Sequence, residues 1–136
     1  MKILFVCKHN RFRSKVAEAV ARKLDVRKRD EYKSAGVQID ILRPYVAGSV
    51  KKIMKEKGYK IIDEKARQVN DFDLAWADKI VIVADNVASD IFDGKTKAEV
   101  KVWLIRDADE SELEKISKIV GEIEIRVKKL VASLNE

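Results

Sequence analysis

KILFVCKHNRFRSKVAEAVARKL, residues 2–24, is the stretch whose reading decides the fold. It opens with the β-favouring run KILFV (2–6). It closes with KVAEAVARKL (15–24), which sets Val16, Val20 and Leu24 on one helical stripe with charges opposite. The short loop between them holds the only cysteine of the chain, Cys7, and its only histidine, His9, alongside Lys8, Arg11 and Arg13. A strand feeds a tight, positively charged loop and then a helix, which is how a parallel βαβ unit begins.

The pattern continues along the chain. DEYKSAG (30–36) reads as a second strand, 37–42 as a loop, and RPYVAGSVKKIMKEKG (43–58) as a helix opened by Pro44 and stopped by Gly58. ADKIVIVAD (77–85) is a buried strand and VKVWLIRD (100–107) another. From Asp109 to Leu134, Leu113, Ile116, Val120, Ile123, Val127, Leu130 and Leu134 form one stripe, the mark of a long helix covering a sheet face. The expectation is one α/β domain over residues 1–136: a central four-stranded parallel sheet, helices on both faces, and an anion-binding loop after the first strand. Ligand sites in such sheets lie beyond the C-terminal strand ends, where this chain carries Cys7, Ser34, Asp85 and Asp107. Asp85 is read as a helix cap and loop brace.

Composition narrows the classes. At 136 residues, 46% hydrophobic and 38% charged, the chain is expected to be globular and soluble rather than disordered. Its net charge of +6 favours anionic partners without choosing among them. The basic run ARKLDVRKRDEYK (21–33) interleaves Asp25, Asp30 and Glu31, so it reads as a solvated helix end rather than a nucleic-acid surface. The apolar start MKILFV is too short for a signal peptide or membrane span, and a lone cysteine fits the reducing cytoplasm. One cysteine beside one histidine lacks the ligand count of a zinc site, so no metal and no cofactor are expected.

Five residues separate Cys7 from Arg13, and Ser14 follows. A loop of that length on a strand-to-helix turn can curl into a nest of N–H groups backed by a helix N-terminus, a site for a tetrahedral oxyanion. Arg13 can grip two of its oxygens with a bidentate fork that lysine lacks. The same positive surroundings favour Cys7 as an ionised nucleophile. Ser14 can donate a hydroxyl to that sulfur, and Asn10 can brace the loop with its amide.

These residues resemble a known family. VCKHNRFRSKVAEA, SAG at 34–36, ARQV at 66–69 and an aspartate after the last strand are similar to the low-molecular-weight protein tyrosine phosphatase superfamily, which includes arsenate reductases. The resemblance implies that Cys7 attacks phosphorus to form a phosphocysteine and that Arg13 holds the phosphate. It implies that Asp107 is the general acid, with Ala108 where the family has proline; Asp109 is the competitor, and Asp107 can instead cap the long helix that follows. Substrate contacts would come from Lys8, His9, Asn10, Arg11, Phe12 and Ser14. Tyr45 is the candidate aromatic wall, with Tyr59 as an alternative.

The implied activity is metal-independent hydrolysis of phosphotyrosine or aryl phosphate monoesters. Partners would be a phosphorylated protein or a small aryl phosphate, for a monomer or weak homo-oligomer without nucleic acid or membrane. His9 and Phe12 stand where the phosphatases carry glycine and a second cysteine, and His9-Asn10 with the RSxxAE pattern lean toward the arsenate reductases. Two further readings therefore stay open: an arsenate reductase completed by an external thiol, and a phosphate- or phosphoprotein-binding module without turnover.

Overall fold

Residues 1–134 are described by a computed structural model. Strand β1 (Lys2–Cys7) is apolar and fully buried from Ile3 to Val6, so both of its faces must be covered and it belongs in the middle of the sheet. It is flanked by β2 (Glu31–Gly36) and β3 (Lys79–Val83), and β4 (Glu99–Trp103) pairs with the far side of β3. All three pairings are parallel, giving the order β2-β1-β3-β4. The chain leaves β1 toward one edge and later returns to its other side, so the switch in strand order falls beside Cys7.

Side-chain alternation along β1 splits the core in two. Ile3 and Phe5 pack with Val16 and Val20 of helix α1 (Arg13–Leu24) and with Ile116, Val120, Ile123 and Val127 of a second, much longer helix near the C-terminus. Leu4 and Val6 face the opposite layer with Ile80, Ile82 and Leu74. Phe5 sits between Tyr32 of β2 and Trp103 of β4, with ring centroids 6.3 and 6.1 Å away, and so ties three strands together on the heavier face.

The remaining helices are α2 (Gly48–Glu56), α3 (Asp71–Trp76) and the long α4 (Leu113–Leu134). The expected four-stranded α/β fold with helices on both faces is what the chain adopts. Three local expectations are corrected. Pro44 does not open α2, because residues 44–46 run extended against 64–66: Val46 N–H donates to the Glu64 carbonyl (2.8 Å) and Ala66 N–H to that of Pro44 (2.7 Å). The last strand stops at Trp103 rather than 107, because Ile105 N–H turns back onto the Trp103 carbonyl at 2.8 Å and ends the ladder. Helix α3 was not foreseen; Asn70 and Asp73 form a reciprocal capping box that starts it within a few residues.

Gly36, the last residue of SAG, fixes the geometry of the cysteine loop. It pairs with Cys7 in the sheet register, and a Cβ there would lie 2.9 Å from the His9 carbonyl carbon, 2.9 Å from the Lys8 oxygen and 3.0 Å from Asn10 N. All three are backbone atoms and cannot swing aside. Gly36→Ala is expected to cost roughly 1–3 kcal/mol in a denaturant melt. The displaced loop should also bind inorganic phosphate more weakly, as calorimetry would show.

Candidate active site

The loop from Lys8 to Phe12 connects the end of β1 to α1 and stands over the sheet's switch point. Asn10 carries it through the left-handed region at φ 56°, a conformation Asn tolerates better than most residues. Phe12 occupies the N-cap without any side-chain cap. The first N–H groups of α1 thus have no intrahelical acceptor and remain available to an anion.

Cys7 is buried, 2% exposed, and its sulfur lies 3.0 Å from the Ser14 hydroxyl. Arg13 is equally buried, and its guanidinium is locked from across the sheet. It donates to the Ile105 carbonyl at 2.8 Å and to Asn86 Oδ1 at 2.9 Å, with Asp85 at 3.5 Å and Asp107 at 3.6 Å. These contacts hold the fork rigid before any ligand arrives, so little side-chain entropy is left to lose on binding. Asp85 therefore faces Arg13 rather than capping a helix; residues 86–98 make turns and no helix.

Cys7, His9, Arg11, Phe12, Arg13 and Asp107 share one cavity of about 400 Å³. Ala47, Val50 and Ile116 supply an apolar wall, and Arg43, Asp109, Glu110 and Glu112 a charged rim. Phe12 lines the cavity while packed into the core at 7% exposure. His9 Nδ1 lies 2.6 Å from the Gln38 carbonyl. A carbonyl only accepts, so Nδ1 carries the proton and Nε2 is the free ring nitrogen. Among the described residues no three His, Cys, Asp or Glu side chains converge as a metal would require.

Four candidates stand elsewhere or act differently from expectation. Tyr45 does not line the cavity: its side chain is exposed, and its carbonyl accepts from Arg11 Nε at 2.9 Å. Tyr59 points to α4, where its hydroxyl bonds Glu124. Lys8 contributes its carbonyl, which accepts from Gln38 N–H at 2.8 Å, and its side chain is not part of the wall. Arg11 is not a free rim cation, because it also pairs with Glu110 at 3.1 Å. Asn10 and Ser14 lie beneath the loop, fully buried.

The two aspartates differ in what they are committed to. Asp109 accepts from the Ser111 hydroxyl (2.6 Å) and N–H (2.9 Å), while its own N–H donates to Glu112. Those bonds, with Arg43 nearby, hold its carboxyl below the ordinary range of an aspartate. Asp107 accepts only the N–H of Ala108 and leans its other oxygen toward Arg13. Sequence reasoning missed Asn86, Arg43 and Glu110. The amide following KIVIVAD is the one signal that was available, since a strand end at the switch point is where an Arg13 partner has to come from.

The model of the low molecular weight phosphotyrosine protein phosphatase family matches residues 2–136. No curated protein matches. Among solved structures, an arsenate reductase from Archaeoglobus fulgidus is 33% identical, with 96% of this chain and 98% of that one covered and a TM-score of 0.75. A low molecular weight phosphotyrosine phosphatase from Vibrio cholerae is 20% identical, with 100% and 97% covered and a TM-score of 0.88. An arginine phosphatase from Geobacillus stearothermophilus is 22% identical, with 98% and 92% covered and a TM-score of 0.78. With a strand, cysteine loop and helix of this geometry, and a family match along nearly its whole length, the chain belongs to the low molecular weight phosphotyrosine protein phosphatase family.

Proposed function

We propose that this protein hydrolyses aryl phosphate monoesters, phosphotyrosine among them, through a phosphocysteine formed on Cys7. The observation that carries the reading is that a sulfur, a locked arginine fork and a lightly committed carboxylate share one cavity. Cys7 attacks phosphorus while the phosphate oxygens lie against the loop N–H groups and Arg13. The P–O bond breaks as Asp107 passes its proton to the departing phenolate. Water then attacks the phosphocysteine, Asp107 takes its proton, and the S–P bond breaks with Ser14 donating to the leaving thiolate. Ala47, Val50 and Ile116 offer the ring an aliphatic wall in place of an aromatic one.

The test is phosphate release from p-nitrophenyl phosphate in EDTA, with rapid acid quench and mass spectrometry. Turnover with a transient phosphate adduct on Cys7 is expected; no release at any pH between 5 and 8 would overturn the reading.

A second reading, arsenate reduction, is favoured by the identity to the Archaeoglobus arsenate reductase. With one cysteine in the chain, the arsenate–Cys7 adduct would need an external thiol. That thiol would attack the Cys7 sulfur, release arsenite with the two electrons and leave a mixed disulfide, which a second thiol would reduce. Arsenite formation with glutathione or thioredoxin decides it.

A further inference from the structure

Glu18 belongs to the RSxxAE pattern of the first helix, yet it does not line the Cys7 cavity. It opens instead on a second cavity of about 430 Å³, which it shares with Ser34. A continuous hydrogen-bond chain joins it to the sulfur, and the donor in each link can be identified.

The chain is oriented from Asn10. The backbone N–H of Arg67 donates to Asn10 Oδ1 at 2.9 Å, which settles which end of the amide is oxygen. The Nδ2 end therefore supplies its two protons to Ser14 Oγ (2.7 Å) and Ser34 Oγ (3.1 Å), and both serine oxygens act as acceptors. Ser34 sends its own proton to Glu18 Oε1 at 2.6 Å. Ser14, already accepting from Asn10, has its proton left for the Cys7 sulfur at 3.0 Å.

We propose that Glu18 is a positioning residue for Cys7: its carboxylate takes the Ser34 proton and so keeps Ser34 an acceptor for Asn10, which pins the amide, oriented by Arg67 N–H, where it leaves the Ser14 proton for the sulfur. This rests on the reading of Cys7 as the nucleophile. Glu18 is suited to anchor such a chain because Arg22 holds its other oxygen, with Nε at 3.0 Å and a terminal nitrogen at 2.8 Å. Lys15, Lys33 and Arg67 with Asp63 and Asp73 complete the charged groups around it in the second cavity. A fully satisfied polar chain of this kind strengthens each of its members.

Glu18→Gln is the informative substitution. The Nε–H of Arg22 would keep the amide oxygen on its side, turning the new NH2 toward Ser34. Ser34 would then face donors from both directions while its own proton lost the carboxylate that accepts it, loosening its hold on Asn10.

The experiment is alkylation of Cys7, the only cysteine, by iodoacetamide at pH 6.5, followed by mass spectrometry. Glu18→Gln and Ser14→Ala should each slow it about tenfold, the scale of one lost hydrogen bond to a charged sulfur. The double variant should be no slower than Ser14→Ala alone, because both cut one chain. At pH 9.5 all rates should converge. A wild-type rate in Glu18→Gln, slowing that multiplies in the double variant, or a difference persisting at pH 9.5 would each overturn the proposal. If Glu18→Gln does not fold, Ser34→Ala breaks the same link and must meet the same criteria. Alkylation needs no phosphate ester, so absent turnover in the wild type would sink the phosphatase reading and leave this one standing.

Discussion

Cys7→Ser is expected to keep the fold and bind inorganic phosphate while losing hydrolysis of p-nitrophenyl phosphate by roughly 10⁴-fold or more. The fold survives because serine nearly matches cysteine in size beside Leu4, Val6 and Ala35, and its hydroxyl has Ser14 as a neighbour. Binding is expected to survive because Arg13 is anchored independently of the sulfur, on the Ile105 carbonyl and Asn86. Only the attacking atom changes, and a serine hydroxyl at neutral pH is a far weaker nucleophile than a thiolate. Calorimetry with phosphate alongside the release assay separates the two properties. Retained hydrolysis in the variant would remove Cys7 from the chemistry.

Asp107→Asn is expected to lower kcat on aryl phosphates by roughly 10²–10⁴-fold, the usual contribution of a positioned acid. The loss should deepen as the leaving group becomes more basic, because p-nitrophenolate departs almost without help whereas an unsubstituted phenolate needs the proton. Asp109→Asn is the control. Bonds from the Ser111 hydroxyl and N–H, and the charge of Arg43, keep the Asp109 carboxyl below its ordinary range and commit it to the turn before α4, so it resists taking up the proton a general acid must carry. Its substitution should change kcat by less than about threefold, with any larger effect falling on stability through the turn before α4. A steep leaving-group dependence appearing in Asp109→Asn instead would exchange the two roles.

What the sequence made legible follows chain contiguity. β1, the cysteine loop and α1 are consecutive, so period, spacing and charge could all be read from one stretch, and the structure places Cys7, Arg13 and Ser14 together as that stretch requires. Asp107 was legible as an aspartate beyond the last strand, although the strand itself ends four residues sooner. The partners of Arg13 were not legible. Ile105 and Asn86 are 92 and 73 residues away, and the first contributes a carbonyl, which every residue possesses. Tyr45 was singled out by side-chain type, but the extended pairing of residues 44–46 with 64–66 turns its backbone toward Arg11 and leaves its ring in solvent. Glu18 stood in plain view within RSxxAE, and only the fold shows that its carboxylate reaches Ser34 of the neighbouring strand.

Position 10 carries a consequence for the sequences this fold can explore. The left-handed φ of 56° filters the amino acids by backbone shape, passing glycine, asparagine and aspartate most readily. The buried contacts filter them again by chemistry, demanding one acceptor toward Arg67 and two donors toward the serines. Glycine satisfies the first sieve and fails the second, while aspartate passes the backbone test and offers the serines an acceptor where they need donors. Asparagine alone clears both. Drift at this site is therefore closed in every direction by a single step, even though the residue itself never meets the solvent.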